Sequence, residues 1–257
     1  MTTDTVIFTT ENGIATVTLN RPDQRNAINP AVCDALRAAF DKVEADPDIR
    51  VAILTGAGKL FCAGMDLKAF AQGSGDQILF GQYGFAGFVN RPRTKPVIAA
   101  VEGAALAGGF EIMLACDLVT AGQSAQFALP EPTIGLVAGA GGAIRLPRYI
   151  PRVRANEILL TGAGFSASEA ADWGLLNKLV PDGTALEAAQ QLARHIARNA
   201  PLAVRATMAL TNFVHAQEEA RNWPENDAVI RELGQSADAA EGARAFVEKR
   251  APVWQGK

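Results

Sequence analysis

Histidine is nearly absent from this chain, with only His195 and His215 among 257 residues. Activated serine and cysteine nucleophiles usually need an adjacent base, most often an imidazole. Both histidines fall in a region that reads as helical, far along the chain from Cys33, Cys62 and Cys116. These three cysteines are odd in number and lack C-x-x-C spacing. They read as reduced, mostly packed thiols of a cytosolic protein, and a Cys–His dyad or a zinc site carries little weight. Neither a G-x-S-x-G elbow nor a G-x-x-x-x-G-K-[ST] loop occurs. Charge of one sign is lacking too: 24 Lys+Arg stand against 27 Asp+Glu, a net of −3. Nucleic-acid binding needs a concentrated basic face, which this balance does not suggest. The start, MTTDTVIFTTENG, has no basic leader and no long apolar run, and WQGK at the end is no peroxisomal or retention address. Acid–base chemistry here must lean on carboxylates.

What is present is apolar side chain, 49% of residues against 20% charged, which is too apolar for a disordered chain. The most apolar stretch is VIAAVEGAALAGGFEIMLACDLV, Val97 to Val119. Glu102, Glu111 and Asp117 interrupt it, so it never reaches the roughly 18 uninterrupted residues of a membrane span. Glu111 in the middle of that stretch calls for an explanation. Glu102 reads only as a strand-end surface acid.

Short β-rich runs at Val6–Thr9 and Ile14–Leu19 flank the turn pair Asn12–Gly13. Asn29–Pro30 offers an N-cap and a first-turn proline before Val32, Leu36, Phe40 and Val43 at helical spacing. Val51–Leu54 and Val97–Val101 read as buried strands. Gly73 to Phe88 reads as a mobile or irregular loop with some helix, or equally as a glycine-weakened helix. A buried helix is expected from Gly108 to about Cys116, followed by a strand through Asp117–Thr120. Capping boxes are expected at Ser166…Glu169 and Thr184…Glu187. Helix dominates from Pro201 onward, with a break at Trp223–Pro224. The turns Thr55–Gly58 (TGAG) and Gly162–Ala163–Gly164 fail the strand–turn–helix context of a dinucleotide site.

Four local patterns stand together: LFCAGMDLK (Leu60–Lys68), ALAGGFEIMLACD (Ala105–Asp117), FALPEPTIGL (Phe127–Leu136) and GAGGAIRLPR (Gly139–Arg148). With LNRPDQRN (Leu19–Asn26) and FVEKR (Phe246–Arg250) they run in order over nearly the whole chain. In these residues the sequence resembles the crotonase superfamily, the enoyl-CoA hydratase/isomerase family. The resemblance implies an α/β fold, a spiral of ββα turns over residues 1–198 holding an acyl-CoA site. A helical trimerisation region would follow at residues 199–257. Trimers in that family commonly pair into hexamers. It further implies a cytoplasmic lyase of fatty-acid or lipid metabolism that needs no metal or redox cofactor. Coenzyme A would be part of the substrate.

The chemistry of a thioester agrees. Its α-carbon is only moderately acidic, so an enolate needs charge stabilisation on the thioester oxygen. Two backbone N–H groups can supply that stabilisation. By match to the family these belong to Met65 and Gly108, although Gly108–Gly109 could instead serve only tight helix–strand packing. The family's hydratases carry glutamates matching Glu111 and Glu131 and hold one water between them. Its isomerases typically need a single carboxylate. The resemblance thus favours Glu111 as base toward water and Glu131 as proton donor. The plain alternative makes Glu111 a structural acid and Glu131 a turn residue. For coenzyme A the match points to Gln24, Arg25 and Ala27 near adenine and phosphate, and to Asp66, Leu67 and Lys68 beside pantetheine. Phe246 and Lys249 match positions that can reach a neighbouring subunit's coenzyme A. Singly, each of these charges also reads as solvated surface, and Asp66 as a local cap.

Two departures bear on the substrate. Many hydratases read PGAGGTQR where this chain has AGAGGAIR, Ala138 to Arg145. Phe110 and FALPE stand closer to the carnitinyl-CoA dehydratase-like branch. Such a dehydratase, an isomerase or a non-catalytic acyl-CoA-binding paralogue are the alternatives to a hydratase. Phe80, Tyr83, Phe85 and Phe88 are expected either to wall an acyl pocket or to fill the core.

Overall fold

The computed structural model describes residues 4–257, and the side chains of 213–218, His215 among them, lie outside that description. The strands are β1 (Val6–Glu11), β2 (Ile14–Leu19), β3 (Val51–Gly56), β4 (Val97–Val101), β5 (Ala104–Leu106), β6 (Leu118–Gly122), β7 (Gln126–Ala128), β8 (Phe165–Ser166) and β9 (Lys178–Val180). The helices are α1 (Pro30–Ala45), α2 (Leu67–Ala69), α3 (Gly75–Leu79), α4 (Gly108–Leu114), α5 (Gly142–Tyr149), α6 (Arg152–Thr161), α7 (Ala167–Asp172), α8 (Ala185–Ala197), α9 (Pro201–Gly234) and α10 (Ala237–Glu248). No helix among the described residues is long and apolar enough to cross a membrane.

Asn12 and Gly13 both adopt positive φ, 50° and 76°, which suits a tight turn between right-twisted strands. They close the antiparallel β1–β2 hairpin, in which Glu11 pairs with Ile14. β2 starts the parallel part of a six-stranded sheet ordered β1-β2-β3-β4-β6-β9. A second sheet is ordered β5-β7-β8. The chain therefore alternates between layers: β4 lies in the large sheet and β5 in the small one, then β6 in the large and β7 in the small. This alternation is the spiral of ββα turns expected from the resemblance.

β3 and β4 are continuously apolar because both their faces are covered. Ile53, Ile98 and Ala100 pack with Ala189 and Ala193 of α8 on one side. Ala52, Leu54, Ala99 and Val101 enter the main core on the other. Asn29 caps α1 by accepting the Val32 N–H at 3.0 Å, and Val32, Leu36, Phe40 and Val43 are buried as their spacing predicts. The three cysteines are buried and free. Burial pushes each thiol up to about 12, so they stay protonated. His195 lies exposed on α8, distant in role from any of them.

Three expectations need correction. The Ser166…Glu169 capping box forms, but the Thr184…Glu187 box does not, because the Thr184 hydroxyl donates to Pro181 O at 2.6 Å. The α8 N-terminus is capped from another element: the Glu102 carboxylate accepts the Ala185 N–H at 2.8 Å. Glu102 is thus a tertiary helix cap, and Gly122 leaves room for it, since a Cβ there would stand 2.6 Å from Oε2. Helix α9 runs through Pro224 without a break. Tertiary anchors on both sides offset the lost backbone bond: Trp223 packs on the core, and Asn226 Nδ2 donates to Gly139 O at 2.8 Å. The segment Gly73 to Phe88 agrees with the expectation of an irregular stretch with some helix: it is built of short helical turns, with Ile78, Phe85 and Phe88 buried.

Glu102→Ala is expected to lower unfolding stability by about 1 kcal/mol, the usual worth of an N-cap. Thr184→Ala is expected to cost under about 0.5 kcal/mol. Urea unfolding of both variants checks this, and equal losses would contradict the cap assignment.

Candidate active site

Loops that follow the strands, together with α2, α3, α4, α9 and α10, line a cavity of about 1280 Å³. Its wall includes Met65 and Gly108, Glu111 and Glu131, and Gln24, Arg25, Ala27, Asp66, Leu67, Lys68 and Phe246. Eleven expected site residues thus converge from segments far apart in sequence. Lys249 is not in this wall; it ends α10 in a left-handed conformation at φ 55°. Phe246 faces the cavity of its own chain, whereas the resemblance pointed toward a neighbouring subunit.

Two loops meet at the cavity floor. Cys62 and Ala105 form one parallel bridge, and Ile28 and Met65 another. Phe61 and Cys62 N–H groups donate to Glu102 O and Ala104 O, and Leu106 N–H returns to Cys62 O. Glycine is required where the loops touch. A Cβ on Gly64 would lie 3.0 Å from Gly108 N, one on Gly109 would lie 2.2 Å from Cys62 O, and one on Gly108 would enter the Phe85 ring at 2.4 Å. The Cys62 thiol pins the same junction, donating to Asn26 O at 3.2 Å and accepting Gly64 N–H at 3.4 Å. Ala107 sits at φ 50°, a strained position for a residue with a Cβ. There it turns Gly108 into the first residue of α4. Among the described residues neither the Met65 N–H nor the Gly108 N–H finds an acceptor. Two unpaired backbone donors therefore line one cavity wall side by side.

Helix α4 presents Glu111 to the cavity because Phe110, its neighbour, is anchored in the core. The Phe110 ring stands 5.5 Å from Phe127 and 5.6 Å from Phe165. Glu111 Oε1 accepts the N–H of Gly142, the first residue of α5, at 2.8 Å. Glu131 opens a single helical turn, Glu131–Ile134, behind Pro130. Its Oε2 is buried and has no partner among the described residues. Burial raises the Glu131 carboxyl to about 7. Glu111 is also raised, chiefly by burial and then by the facing charge of Glu131; the N–H groups of Gly142 and Ala140 and the Arg145 cation pull it back. Two carboxyls so placed resist being charged together, and each favours its protonated form.

Several supporting groups went unassigned in the sequence. Arg145 reaches Val89 O at 2.7 Å and Glu219 at 3.0 Å, tying α5 and α9 together beside Glu111. It stood in a quoted motif, but only its charge was legible. Asp66 is a local cap, accepting the Lys68 and Ala69 N–H groups; it also lines the cavity and pairs with Arg21 at 3.0 Å. That pair holds the carboxyl below its ordinary range. Phe80 and Phe85 wall the cavity, whereas Phe88 stacks on Phe40 at 4.7 Å in the core and Tyr83 lies under Arg91 at 4.6 Å. The aromatic run is thus divided between pocket and core.

A family model described as Enoyl-CoA hydratase/isomerase matches residues 9–257. The chain is 46% identical to an enoyl-CoA hydratase of Mycobacterium tuberculosis, covering 94% of this chain and 92% of that protein. It is 42% identical to a carnitinyl-CoA dehydratase of Salmonella typhi, covering 96% of this chain and 97% of that one. Among solved structures, a carnitinyl-CoA hydratase from Mycobacterium avium superposes with a TM-score of 0.94 at 44% identity over the full length of both chains.

The raised Glu131 carboxyl carries a stability signature. Between about pH 4.3, the ordinary glutamate range, and about 7 the folded chain holds a proton that the unfolded chain has released. Stability therefore falls as pH rises through that window, on the order of 3 kcal/mol for this group. Glu131→Gln is expected to remove this part of the fall, leaving the share of Glu111. Urea midpoints at pH 5 and pH 8, at fixed protein concentration, measure it. Equal pH dependence in wild type and variant would contradict the raised carboxyl.

Proposed function

The chain belongs to the enoyl-CoA hydratase/isomerase family, and we propose that it catalyses reversible addition of water across the α,β-double bond of an enoyl-CoA thioester. The observation that carries this reading is the pairing of two buried glutamates with two unpaired backbone N–H donors in one cavity. Met65 and Gly108 N–H groups donate to the thioester oxygen and stabilise the negative charge that develops there. Each such donor typically contributes ~10²–10³ in rate. Gly108 adds the partial positive charge of the α4 N-terminus.

In this reading Glu111 is the base and Glu131 the proton donor; the Gly142 N–H and the Arg145 cation offset part of the burial that raises Glu111. As water attacks the β-carbon, Glu111 accepts a proton from it. The double-bond electrons move toward the thioester oxygen, and Glu131 delivers its proton to the α-carbon. The original charge distribution returns once a proton passes from Glu111 to Glu131. Dehydration of a β-hydroxyacyl-CoA is the same path reversed. No step calls for a metal or a redox group; coenzyme A belongs to the substrate.

Gln24, Arg25 and Ala27 are assigned to the adenine and phosphate end, and Asp66, Leu67 and Lys68 to pantetheine. Phe246 and Lys249 are assigned to coenzyme A, at positions that can reach the coenzyme A of a neighbouring subunit. Residues 1–198 form the catalytic spiral in this reading. Residues 199–257 supply assembly into a homotrimer or homohexamer in the cytoplasm.

Wild type is expected to hydrate crotonyl-CoA. Glu111→Gln and Glu131→Gln are each expected to lower kcat by roughly 10²–10⁴, with KM changed far less. A near-wild-type rate in either variant would refute the paired-carboxylate mechanism. Tight binding of acyl-CoA without hydration by wild type would favour a binding protein.

A further inference from the structure

Of the cations that line the cavity, Arg231 is neither assigned to coenzyme A nor, as Arg21 is, paired with a carboxylate among the described residues. Arg231, exposed on α9, stacks its guanidinium carbon 3.8 Å from the centroid of the Phe80 ring. Both residues line the cavity. Among the described residues Arg231 makes no ion pair, so its carboxylate-binding edges stay open while the ring holds its flat face.

Its position follows from neighbouring contacts. Ile230, one residue earlier, approaches so closely that a Cβ on Gly139 would stand 2.4 Å from it. Asn226, one turn before, is bonded to Gly139 O. Gly139 adjoins Ala140, whose N–H supports Glu111. This end of α9 therefore adjoins the Glu111 side of the thioester. The segment assigned to coenzyme A adjoins the other side, where Arg25 O accepts the N–H of Ala63 beside the Met65 loop. In the acyl-CoA reading, pantetheine takes the Arg25 side and the acyl chain takes the side of Gly139, Phe80 and Arg231, which line the same cavity.

We propose that Arg231, held flat on Phe80, reads the far end of the acyl chain and selects thioesters that end in a carboxylate. A guanidinium fork matches a carboxylate with two parallel hydrogen bonds. A trimethylammonium end would need an open aromatic face or an acid; the Phe80 face is taken by Arg231, and like charge repels it. Asp76, at the other end of α3, is the one carboxylate near Phe80 in sequence that also lines the cavity. The inference rests on the acyl-CoA reading given above but does not require turnover.

Binding of saturated acyl-CoA thioesters tests it. The ligands have six, eight or ten carbons, each ending in methyl, carboxylate or trimethylammonium, and are titrated calorimetrically. Wild type is expected to bind the carboxylate-ended thioester at least about tenfold more tightly than its methyl-ended partner at one chain length, equivalent to about 1.4 kcal/mol. In Arg231→Met that ratio is expected to fall to near one. Arg231→Lys, which keeps charge without the fork, and Phe80→Leu, which removes the platform, are expected to give intermediate ratios. Equal affinity for all three ends, or an unchanged ratio in Arg231→Met, overturns the proposal. A preference for trimethylammonium also overturns it and shifts selection to Asp76. Hydration of the matching enoyl thioesters is a separate readout: carboxylate-selective binding without hydration removes the hydratase reading and leaves this one standing.

Discussion

Backbone touching backbone at the cavity floor is the contact on which the site depends. The loop Cys62–Met65 and the turn Leu106–Gly109 lie so close that side chains at Gly64, Gly108 or Gly109 would collide with the opposite strand or with Phe85. That closeness brings two amide donors from separate parts of the chain to one surface and leaves both without acceptors. Each unpaired donor represents a desolvation cost of roughly 1–3 kcal/mol when buried. The loop hydrogen bonds, the Cys62 thiol and the strained Ala107 hold the arrangement against that cost. Such strain and unpaired polarity at one spot are characteristic of a site prepared for a ligand that brings charge with it.

The carboxyl pair follows the same logic from the other wall. Glu111 lies in the stretch that superficially resembled a membrane span, and it is apolar because α4 is buried on every side. A charge there survives only if the surroundings are arranged for it. The α5 N-terminus, presenting the Gly142 N–H, and the Arg145 cation do this. Glu131 has no such partner for Oε2 among the described residues, and burial raises its carboxyl. Two acids in one cavity thus have different partners, and burial raises both.

Local grammar made much of the fold legible. The Asn12–Gly13 turn, the Asn29 cap and the doubly covered strands β3 and β4 follow from short-range patterns that the structure reproduces. Long-range partners were not legible. Thr184 carries a capping pattern, yet Glu102, distant in sequence, caps that helix, and no local signal announces it. Pro224 looks like a helix end until Trp223 and Asn226 are seen anchored to other elements. In the site, glycines and glutamates stood out by type, whereas Arg145 and Arg231 gain meaning only from Glu219 and Phe80, residues remote in the chain.

The central claim is that the Met65 and Gly108 amides polarise a thioester carbonyl. Infrared difference spectra of a saturated acyl-CoA labelled with carbon-13 at the thioester carbonyl measure that interaction directly, without turnover. Bound to wild type, the carbonyl stretch should move to lower frequency than in water, as expected for an oxygen that accepts two preorganised donors. A stretch at or above its value in water, with the ligand fully bound, would contradict the account.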